Sequence, residues 1–484
     1  MFYSPSLLVA FAFLPVAPTS PRIVVMAAVP VMPTSYDSGL HLSLFLLDTT
    51  ANEDEQYVLT ALPKSDPTLP TALSGVSLAL SDLSQTAWQE LCASAEVEFA
   101  GKRLHLTFHE SQGVLLCAVA TEFTWAWATF IFQYISHRLG PTVFADFLAW
   151  KKSAPEPCHP SPIESQLLSL LEPFLSSIPT ISPILWWSVV YCQALPTCGL
   201  SSSTRAASGL CHQILGSQPP DANYVDYGGS FTSMVMLFQE DGRCLGMEGR
   251  FSWPIVASIW TFLRLVPLDQ LPSQLSLHVP SRSQSQSKDT AMTAVAVSDT
   301  VHCTLLPVAA QRETKPSFPR SAVLVVVREG LSRAAEALPD ALLDVIQVRI
   351  AAFPALCAQF PPLEWPLTGW LRTQSLFQAI DCVCWWNPER HTAILEWSSS
   401  HTSHSSSSSL SQFVHLVERA AKGSQGQNSP QQQLYWQTGG QCCVWERTPV
   451  VNGGGQVMVC GDSQVDMLQA PISPACLQTL PWWL

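Results

Sequence analysis

The chain has 484 residues, of which 47% are hydrophobic, and it carries a formal net charge of -13. A chain of this length is expected to hold about three domains of roughly 100 to 200 residues each. The acidic charge argues against a broad nucleic-acid-binding surface. The 15 cysteines are odd in number and irregularly spaced, which indicates a reducing compartment rather than a disulfide framework.

The N-terminus contains an apolar segment, LLVAFAFLPVA, that is typical of a signal-peptide core. No basic region precedes it and Pro15 interrupts it, so residues 1–35 are predicted to be a disordered or mis-annotated extension. No run in the chain reaches the roughly 18 apolar residues that a spanning helix needs. The sequence therefore predicts a protein without a membrane span of its own.

Residues 36–150 are predicted to form a first domain that runs strand, strand, helix, three strands, helix, helix. The first strand shows the two-residue alternation of a half-buried strand at Leu40, Leu42, Leu44 and Leu46. The second strand ends before Pro63, and a helical apolar spacing follows it. The run GVLLCAVAT is apolar throughout, which is typical of a central strand.

Low-complexity stretches divide the rest of the chain: KKSAPEPCHPSP, SRSQSQSK, SSSHTSHSSSSS and GSQGQNSPQQQ. They indicate a linker with a helix over residues 151–204 and two further mixed α/β units over 205–355 and 370–484. Helical patterns recur at Ile163–Phe174, Pro254–Leu265 and Leu331–Phe353. Strand patterns recur at Phe231–Phe238, Val301–Val308, Ala322–Val327, Leu376–Trp386, Thr392–Trp397, Leu434–Glu446 and Gln456–Cys460.

A search for catalytic motifs returns no phosphate loop, no H-E-x-x-H and no G-x-S-x-G elbow. No catalytic residue and no cofactor are therefore predicted. The nearest metal candidate is Cys382 and Cys384 with Cys442 and Cys443, whose thiolates could reach one zinc ion from neighbouring strands. Because adjacent residues of a strand face opposite sides, the pattern favours small buried hydrophobic cysteines, and no metal site is predicted.

Histidines and tryptophans are the remaining candidates for chemistry. No recognisable motif sets an acid or a nucleophile beside His41, His105 or His109, which favours surface or hydrogen-bonded roles. Three tryptophan pairs lie in apolar contexts that favour core packing or an interface over a ligand cage: Trp186-Trp187, Trp385-Trp386 and Trp482-Trp483.

The element order of residues 36–150 resembles that of a longin domain, and the sequence around it is similar to the Ccz family of the Mon–Ccz complex. The segment LSLFLLDTTANEDEQYVLTALPK is similar to the family's opening strand, acidic turn and second strand. The similarity continues through HLTFHESQGVLLCAVAT and the helix after it. It returns in NYVDYGGSFTSMVMLF, where the family has an acidic-aromatic helical stretch, and then in GRFSWP. The segment LYWQTGGQCCVWERTPVVNGGGQVMVC resembles the family's last two strands, before a final helix. The Hermansky–Pudlak subunit of a related exchange factor and the planar-polarity protein inturned have the same arrangement of three longin domains.

This resemblance implies an α/β (α+β) protein of three longin-like domains of the roadblock/longin superfamily, each a mostly antiparallel sheet flanked by helices. The domains implied are 36–150, 205–355 and 370–484, the last with Ser/Gln-rich inserts. It also implies a non-enzymatic subunit of a heteromeric guanine-nucleotide exchange factor, paired with a Mon-type longin subunit. The implied target is a late-endosomal or vacuolar Rab GTPase, and the implied processes are endosome maturation, vesicle-mediated transport and vacuole or lysosome fusion. The implied location is cytoplasmic, peripheral on those membranes.

Because such subunits associate through their first longin domains, the first-domain helix becomes the candidate partner interface. Its core-plus-interface candidates are Leu69, Leu73, Val76, Leu80, Leu83 and Trp88. The alternative is that all six face the domain's own sheet.

Two other classes of function remain open at the level of sequence. A longin-domain trafficking adaptor, or a planar-polarity or lysosome-related-organelle relative, predicts binding without acceleration of nucleotide release. A secreted hydrolase entered through the signal-like N-terminus predicts processing after about residue 20 and a cleft with convergent titratable groups.

Overall fold

We describe the protein from a computed structural model. Its backbone is described for residues 9–12, 23–27, 42–51, 58–62, 75, 77–80, 86, 94–99, 102–120, 127–153, 162–177, 183–190, 193–197, 202–216, 231–250, 252–280, 298–309, 321–329, 340–359, 380–387, 391–397, 433–438, 441–448 and 455–462. The chain forms two compact units, residues 1–186 with 278–298 and residues 187–277 with 299–484.

The first unit is built on a seven-stranded sheet. Its strands are β1 (Val9–Ala12), β2 (Ile23–Ala27), β3 (Leu42–Asp48), β4 (Val58–Leu62), β5 (Ser94–Phe99), β6 (Lys102–Ser111) and β7 (Val114–Ala120). Across the sheet they follow the order β1-β2-β5-β6-β7-β3-β4. Strands β3 to β7 pair antiparallel with one another, whereas β2 pairs parallel with β5.

Strand β7 lies in the middle of these five strands because its side chains are apolar toward both faces. All of its residues are buried, and it pairs with β6 on one side and with β3 on the other. The turn Gln112-Gly113 joins it to β6, with φ of 57° and 78°. Positive φ at both positions is the type I′ geometry whose twist matches a hairpin. The predicted central strand is confirmed.

The first unit also contains helices that pack on this sheet or on one another. They are α1 (Trp127–Leu139), α2 (Val143–Ser153), α3 (Pro162–Ser177) and the first turn of α4 (Pro183–Val190). Helix α1 contacts β6 and β7, and its Ala128 amide donates a hydrogen bond to Thr107 Oγ1 at 3.1 Å. Gly140 ends α1 with φ of 108° while its amide donates to the Ser136 carbonyl, so a residue with a side chain is disfavoured there.

A second sheet, formed mainly by the second unit, has five strands. They are β9 (Phe231–Gln239), β10 (Cys244–Gly249), β11 (Gln274–Pro280), β12 (Ser298–Ala309) and β13 (Ser321–Glu329), in the order β10-β9-β13-β12-β11. Helices α5 (Ser202–Gly216) and α7 (Asp340–Gln359) pack on one face of this sheet. Their shared core comprises Ala206, Leu210, Ile214, Val235, Leu237, Leu324, Val326, Ile346 and Phe353.

Helix α6 (Trp253–Leu265) follows the β9–β10 hairpin, and a 3-10 turn (Leu268–Gln270) follows the helix. Every residue from Ile255 to Leu263 is buried. A helix that is buried on all sides belongs to a protein interior rather than to a surface. Trp260 Nε1 donates to the Gly242 carbonyl at 2.7 Å, which fixes the helix to the hairpin turn.

The third sheet, also in the second unit, contains six strands. They are β8 (Leu195–Pro196), β14 (Ile380–Asn387), β15 (Thr392–Trp397), β16 (Gln433–Thr438), β17 (Gln441–Thr448) and β18 (Gly455–Asp462), in the order β16-β17-β18-β14-β15-β8. Strands β14 to β18 pair antiparallel, and the short β8 pairs parallel with β15 at the edge.

One strand order occurs in all three sheets. When the five strands β3–β7, β9–β13 and β14–β18 are each counted along the chain, the order across the sheet is second, first, fifth, fourth, third. Helical residues follow the second strand at 77–80 in the first sheet and in α6 in the second. The chain therefore repeats one five-stranded topology three times among its described strands.

The expected mixed α/β class, with antiparallel sheets flanked by helices, is confirmed. The predicted strands at Phe231–Phe238 and Thr392–Trp397 are confirmed, and so is the helix predicted at Pro254–Leu265. The segment Leu434–Glu446 is a hairpin of two strands. The helical stretch that the resemblance implied within residues 223–238 is wrong for Phe231–Phe238, since these residues form β9, the first strand of the second sheet.

The N-terminal region also differs from the sequence-based expectation. Residues 1–35 are predicted to be a disordered or mis-annotated extension, but Val9–Ala12 and Ile23–Ala27 form β1 and β2, which pair with each other and lengthen the first sheet. The run IVVMA is rich in β-branched residues, which suit a strand wherever an edge is available. In the part of the chain that the structure describes, no helix is long and apolar enough to cross a membrane.

Candidate interaction site

The helical residues 77–80 cover one face of the first sheet. Leu80 is 3% exposed and belongs to a core cluster with side chains from all five antiparallel strands or their flanks: Phe45, Leu47, Ala95, Val97, Leu106, Phe108, Leu115, Cys117 and Val119, with Val58 and Ala61 packed beside them. Ser77 is buried with them, its Oγ 3.3 Å from Cys117 Sγ. This helical segment is thus held to the sheet by apolar packing and by the contact between Ser77 and Cys117.

Of the six predicted interface candidates, Leu80 is placed in this core and faces the domain's own sheet. Leu69, Leu73, Val76, Leu83 and Trp88 lie outside the residues whose side chains the structure describes. Ala79, which no apolar pattern marks, is exposed between the buried Ser77 and Leu80. Because Ser77 and Leu80 face the sheet, the exposed Ala79 lies on the side of this segment that faces away from the sheet.

The opposite side of the sheet is closed by α1 and the helices packed on it. Trp127, Phe130 and Trp186 form an aromatic cluster with centroid separations of 5.2 to 6.2 Å. Phe174 of α3 joins it, 5.3 Å from Tyr134 and 5.9 Å from Trp186. Trp186, from one of the predicted tryptophan pairs, is therefore a core residue at 2% exposure.

A polar cluster joins the end of β3 to the end of α2. Asp48 accepts hydrogen bonds from the amide and the Oγ1 of Thr50, at 2.8 and 2.6 Å, and Lys152 Nζ lies 3.0 Å from its other oxygen. Burial acts to raise the pKa of Asp48, but the bonds from Thr50 and Lys152 outweigh it, and the pKa is lowered below 3.8. The carboxylate therefore ties the end of β3 to the end of α2.

The described histidines of the first unit are buried or half-buried. The rings of His109 and Phe132 pack at a tilt of 42°, with their centroids 4.3 Å apart. His109 Nδ1 lies 3.3 Å from Thr129 Oγ1, and burial lowers the pKa of this histidine. His105 is half-buried in β6, and His41 lies outside the described residues. His137 of α1, which no sequence motif marks, is buried, and its pKa is lowered to about 4 by burial and by the charge of His278.

The cysteines considered for zinc lie in the third sheet, where the structure describes the backbone pairing. Cys382 and Cys384 are in β14, and Cys442 and Cys443 are in β17, two strands away. Cys460 of β18, between them, was not selected because the sequence does not give strand register. Among the side chains that the structure describes, no group of three His, Cys, Asp or Glu could hold a metal ion.

The remaining tryptophan pairs fall where less is described. Trp385 and Trp386 lie in β14, paired with Ile394 and Ala393 of β15, whereas Trp482 and Trp483 lie outside the described residues. No protein-family model matches the chain, and a search of curated proteins finds no match either. The resemblance to the Ccz family therefore stays a prediction.

Proposed function

We propose that this chain is a non-enzymatic subunit of a heteromeric guanine-nucleotide exchange factor, built from three longin-like domains and comparable in role to the Ccz subunit of the Mon–Ccz complex. It pairs with a Mon-type longin subunit and acts on a late-endosomal or vacuolar Rab GTPase. Its location in this proposal is cytoplasmic, peripheral on late endosomes, vacuoles or lysosomes, and its process is endosome maturation and vacuole or lysosome fusion.

The observation that carries the proposal is the strand order shared by the three sheets. The resemblance implied three domains of one kind, each a mostly antiparallel sheet flanked by helices. Five strands can be ordered in many ways, and the rules that restrict chain connections still leave several topologies open. One order occurring three times in one chain is therefore better explained by a repeated domain type than by three unrelated domains.

The first domain provides a surface that fits a docking role. Its sheet is covered on one face by α1 and on the other by the helical residues 77–80, so the apolar faces are satisfied inside the chain. The exposed side of residues 77–80, with Ala79 at its centre, is the surface that a second longin domain contacts in this proposal.

The proposed mechanism requires binding rather than bond chemistry. A pair of subunits accelerates exchange when it binds the nucleotide-free GTPase more tightly than the nucleotide-bound form, which is a shift of population driven by differential affinity. No proton transfer by this chain is involved.

Reconstitution with a Mon-type subunit tests the proposal in two steps. The first step is co-purification of the two full-length chains, and the second is release of a fluorescent nucleotide from the vacuolar Rab. We expect a stable pair that releases nucleotide faster than either chain alone. A pair that forms but does not accelerate release indicates the adaptor function instead.

A further inference from the structure

Helix α7 carries an apolar stripe on the side that faces away from the core of the second sheet. Its inner side packs into that core through Ile346 and Phe353, which are both fully buried. On its outer side Val348 is 68% exposed, Val345 is 37% exposed, and Ala352 is exposed one turn further along. Residues three, four and seven positions apart share one face of a helix, so these three side chains form a single stripe.

The corresponding helix of the first domain is covered where α7 is exposed. Helix α1, like α7, follows the fifth strand of its repeat. Its outer side is covered by α3, whose Phe174 ring lies 5.3 Å from the Tyr134 ring of α1 between centroids. Val348 of α7 has no such cover, because two thirds of its surface is exposed. The second repeat thus leaves open a helix face that the first repeat closes with its own chain.

Opposite charges lie on the two sides of this stripe. Successive helical residues are about 100° apart, so Asp344 and Arg349 lie about 140° apart, with the stripe between them. Both side chains are exposed. When Val345 and Val348 are taken as positions a and d of a heptad, Asp344 is at g, Arg349 is at e and Ala352 is the next a. An apolar a/d seam with opposite charges at g and e is the pattern of a parallel two-stranded coiled coil.

We propose that two copies of this chain associate through this stripe, with their α7 helices parallel and in register about a twofold axis. In such a pair, position g of one helix lies beside position e, five residues further on, of the other. Asp344 of each copy therefore meets Arg349 of the second copy, and the symmetry forms this ion pair twice. At an axial distance of about 8–10 Å, Val345 and Val348 pack against the same residues of the second copy.

The order of the charges selects the occupant and its direction. An antiparallel pair of these helices sets Asp344 beside Asp344 and Arg349 beside Arg349, which repel each other. A parallel second copy supplies both missing charges at once, whereas an unrelated helix has to carry them in the same order. The association uses the second domain, so it does not depend on the proposed exchange function.

Sedimentation velocity of the full-length chain over a series of concentrations tests the pairing. We expect a reversible equilibrium of monomer and dimer. Val348→Glu is expected to raise the Kd of self-association more than about tenfold, because it buries an unpaired carboxylate in the seam. The matched control Gln347→Glu adds the same charge at an exposed position off the stripe and leaves the Kd unchanged. Circular dichroism verifies that both variants fold.

Two results would overturn the proposal. The first is self-association of Val348→Glu at the level of Gln347→Glu. The second is an unsubstituted chain that stays monomeric at every concentration. If that monomer binds a Mon-type subunit and loses this binding in Val348→Glu, the stripe belongs to a different partner.

Charge reversal tests the direction of the helices without changing the apolar seam. Asp344→Arg and Arg349→Asp are each expected to raise the Kd about tenfold, since both ion pairs become repulsive. A mixture of the two variants, or both substitutions in one chain, is expected to restore the dimer, because each helix again meets the opposite charge. An unchanged Kd in both single variants indicates antiparallel helices or another interface and contradicts the proposal, as does a mixture without dimers.

Discussion

Asp48 and His137 are two ionisable residues that the first unit buries in different ways. Asp48 keeps its charge because Thr50 and Lys152 donate to it, and its pKa is lowered. His137 is 7% exposed in α1, and its pKa is lowered to about 4 because burial disfavours the charged ring and His278 adds positive charge nearby. The first residue is stabilised as an ion and the second as a neutral ring.

The buried His137 predicts a loss of stability in mild acid. In the unfolded chain this ring takes up a proton below about pH 6.5, whereas in the folded chain it does so only near pH 4. The unfolded state therefore binds more protons between these values, so stability is complete above about pH 6.5 and falls as the pH drops toward 4. The loss amounts to at most about 3 kcal/mol.

Hydrogen exchange of α1 between pH 7 and pH 4.5, corrected for intrinsic rates, measures this effect. We expect the protection of α1 to decline less between pH 7 and pH 4.5 in His137→Gln than in the unsubstituted chain. The control His212→Gln, at an exposed position in α5, is expected to show the same decline as the unsubstituted chain. A decline of equal size in the unsubstituted chain and in His137→Gln would show that another group governs the response to acid.

Among the elements, the contact between α5 and β10 depends on a glycine. A Cβ added at Gly246 would lie 2.6 Å from the backbone carbon of Ala207, a distance that only movement of the helix can relieve. A Cβ at Gly209, in the same helix, meets nothing within 4 Å. The two glycines therefore predict opposite responses to one substitution.

We expect Gly246→Ala to destabilise the second sheet by about 1–3 kcal/mol through overpacking. Gly209→Ala is expected to stabilise α5 by up to about 1 kcal/mol, since alanine is the better helix former. Exchange protection of peptides covering residues 202–216 and 244–249 reports both effects locally, which suits a chain of several domains. Equal protection in the two variants would contradict the close packing of α5 on β10.

The helical segment 77–80 carries the prediction on partner binding. We expect Ala79→Glu to weaken association with a Mon-type subunit more than tenfold, because an uncompensated carboxylate buried at an interface costs more than about 1.4 kcal/mol. Ala149→Glu on α2 is the matched control, an exposed alanine on another helix of the same unit. Co-purification measures both, with circular dichroism to verify folding. Binding by Ala79→Glu at the level of the control would remove this segment from the interface.

Local patterns in the sequence predicted most of the elements but not how the strands pair. The apolar run of β7 predicted a central strand, and the helical spacing around Leu80 predicted a helix on the sheet, because both depend on neighbours within one segment. The β1 and β2 strands were missed because their partner is the edge strand β5, a long-range contact. Cys460 was missed for the same reason, since only register sets it beside Cys382.

At the scale of the whole molecule, one five-stranded topology is used three times and modified at its edges. The first sheet gains β1 and β2 beside β5, the third gains β8 beside β15, and the second has no added strand among the described residues. Added strands cover edges that would otherwise offer unpaired backbone groups to other chains. In the proposed function, the first of the three domains docks a partner's longin domain, and the assembled pair binds the GTPase.

Release of nucleotide from the vacuolar Rab is the most direct test of this account. Four reactions are compared: the Rab alone, with this chain, with a Mon-type subunit, and with both. The account predicts that only the pair accelerates release, and that the pair containing Ala79→Glu does so less than the pair containing Ala149→Glu. Acceleration by this chain alone, or the absence of acceleration by an assembled pair, would contradict it.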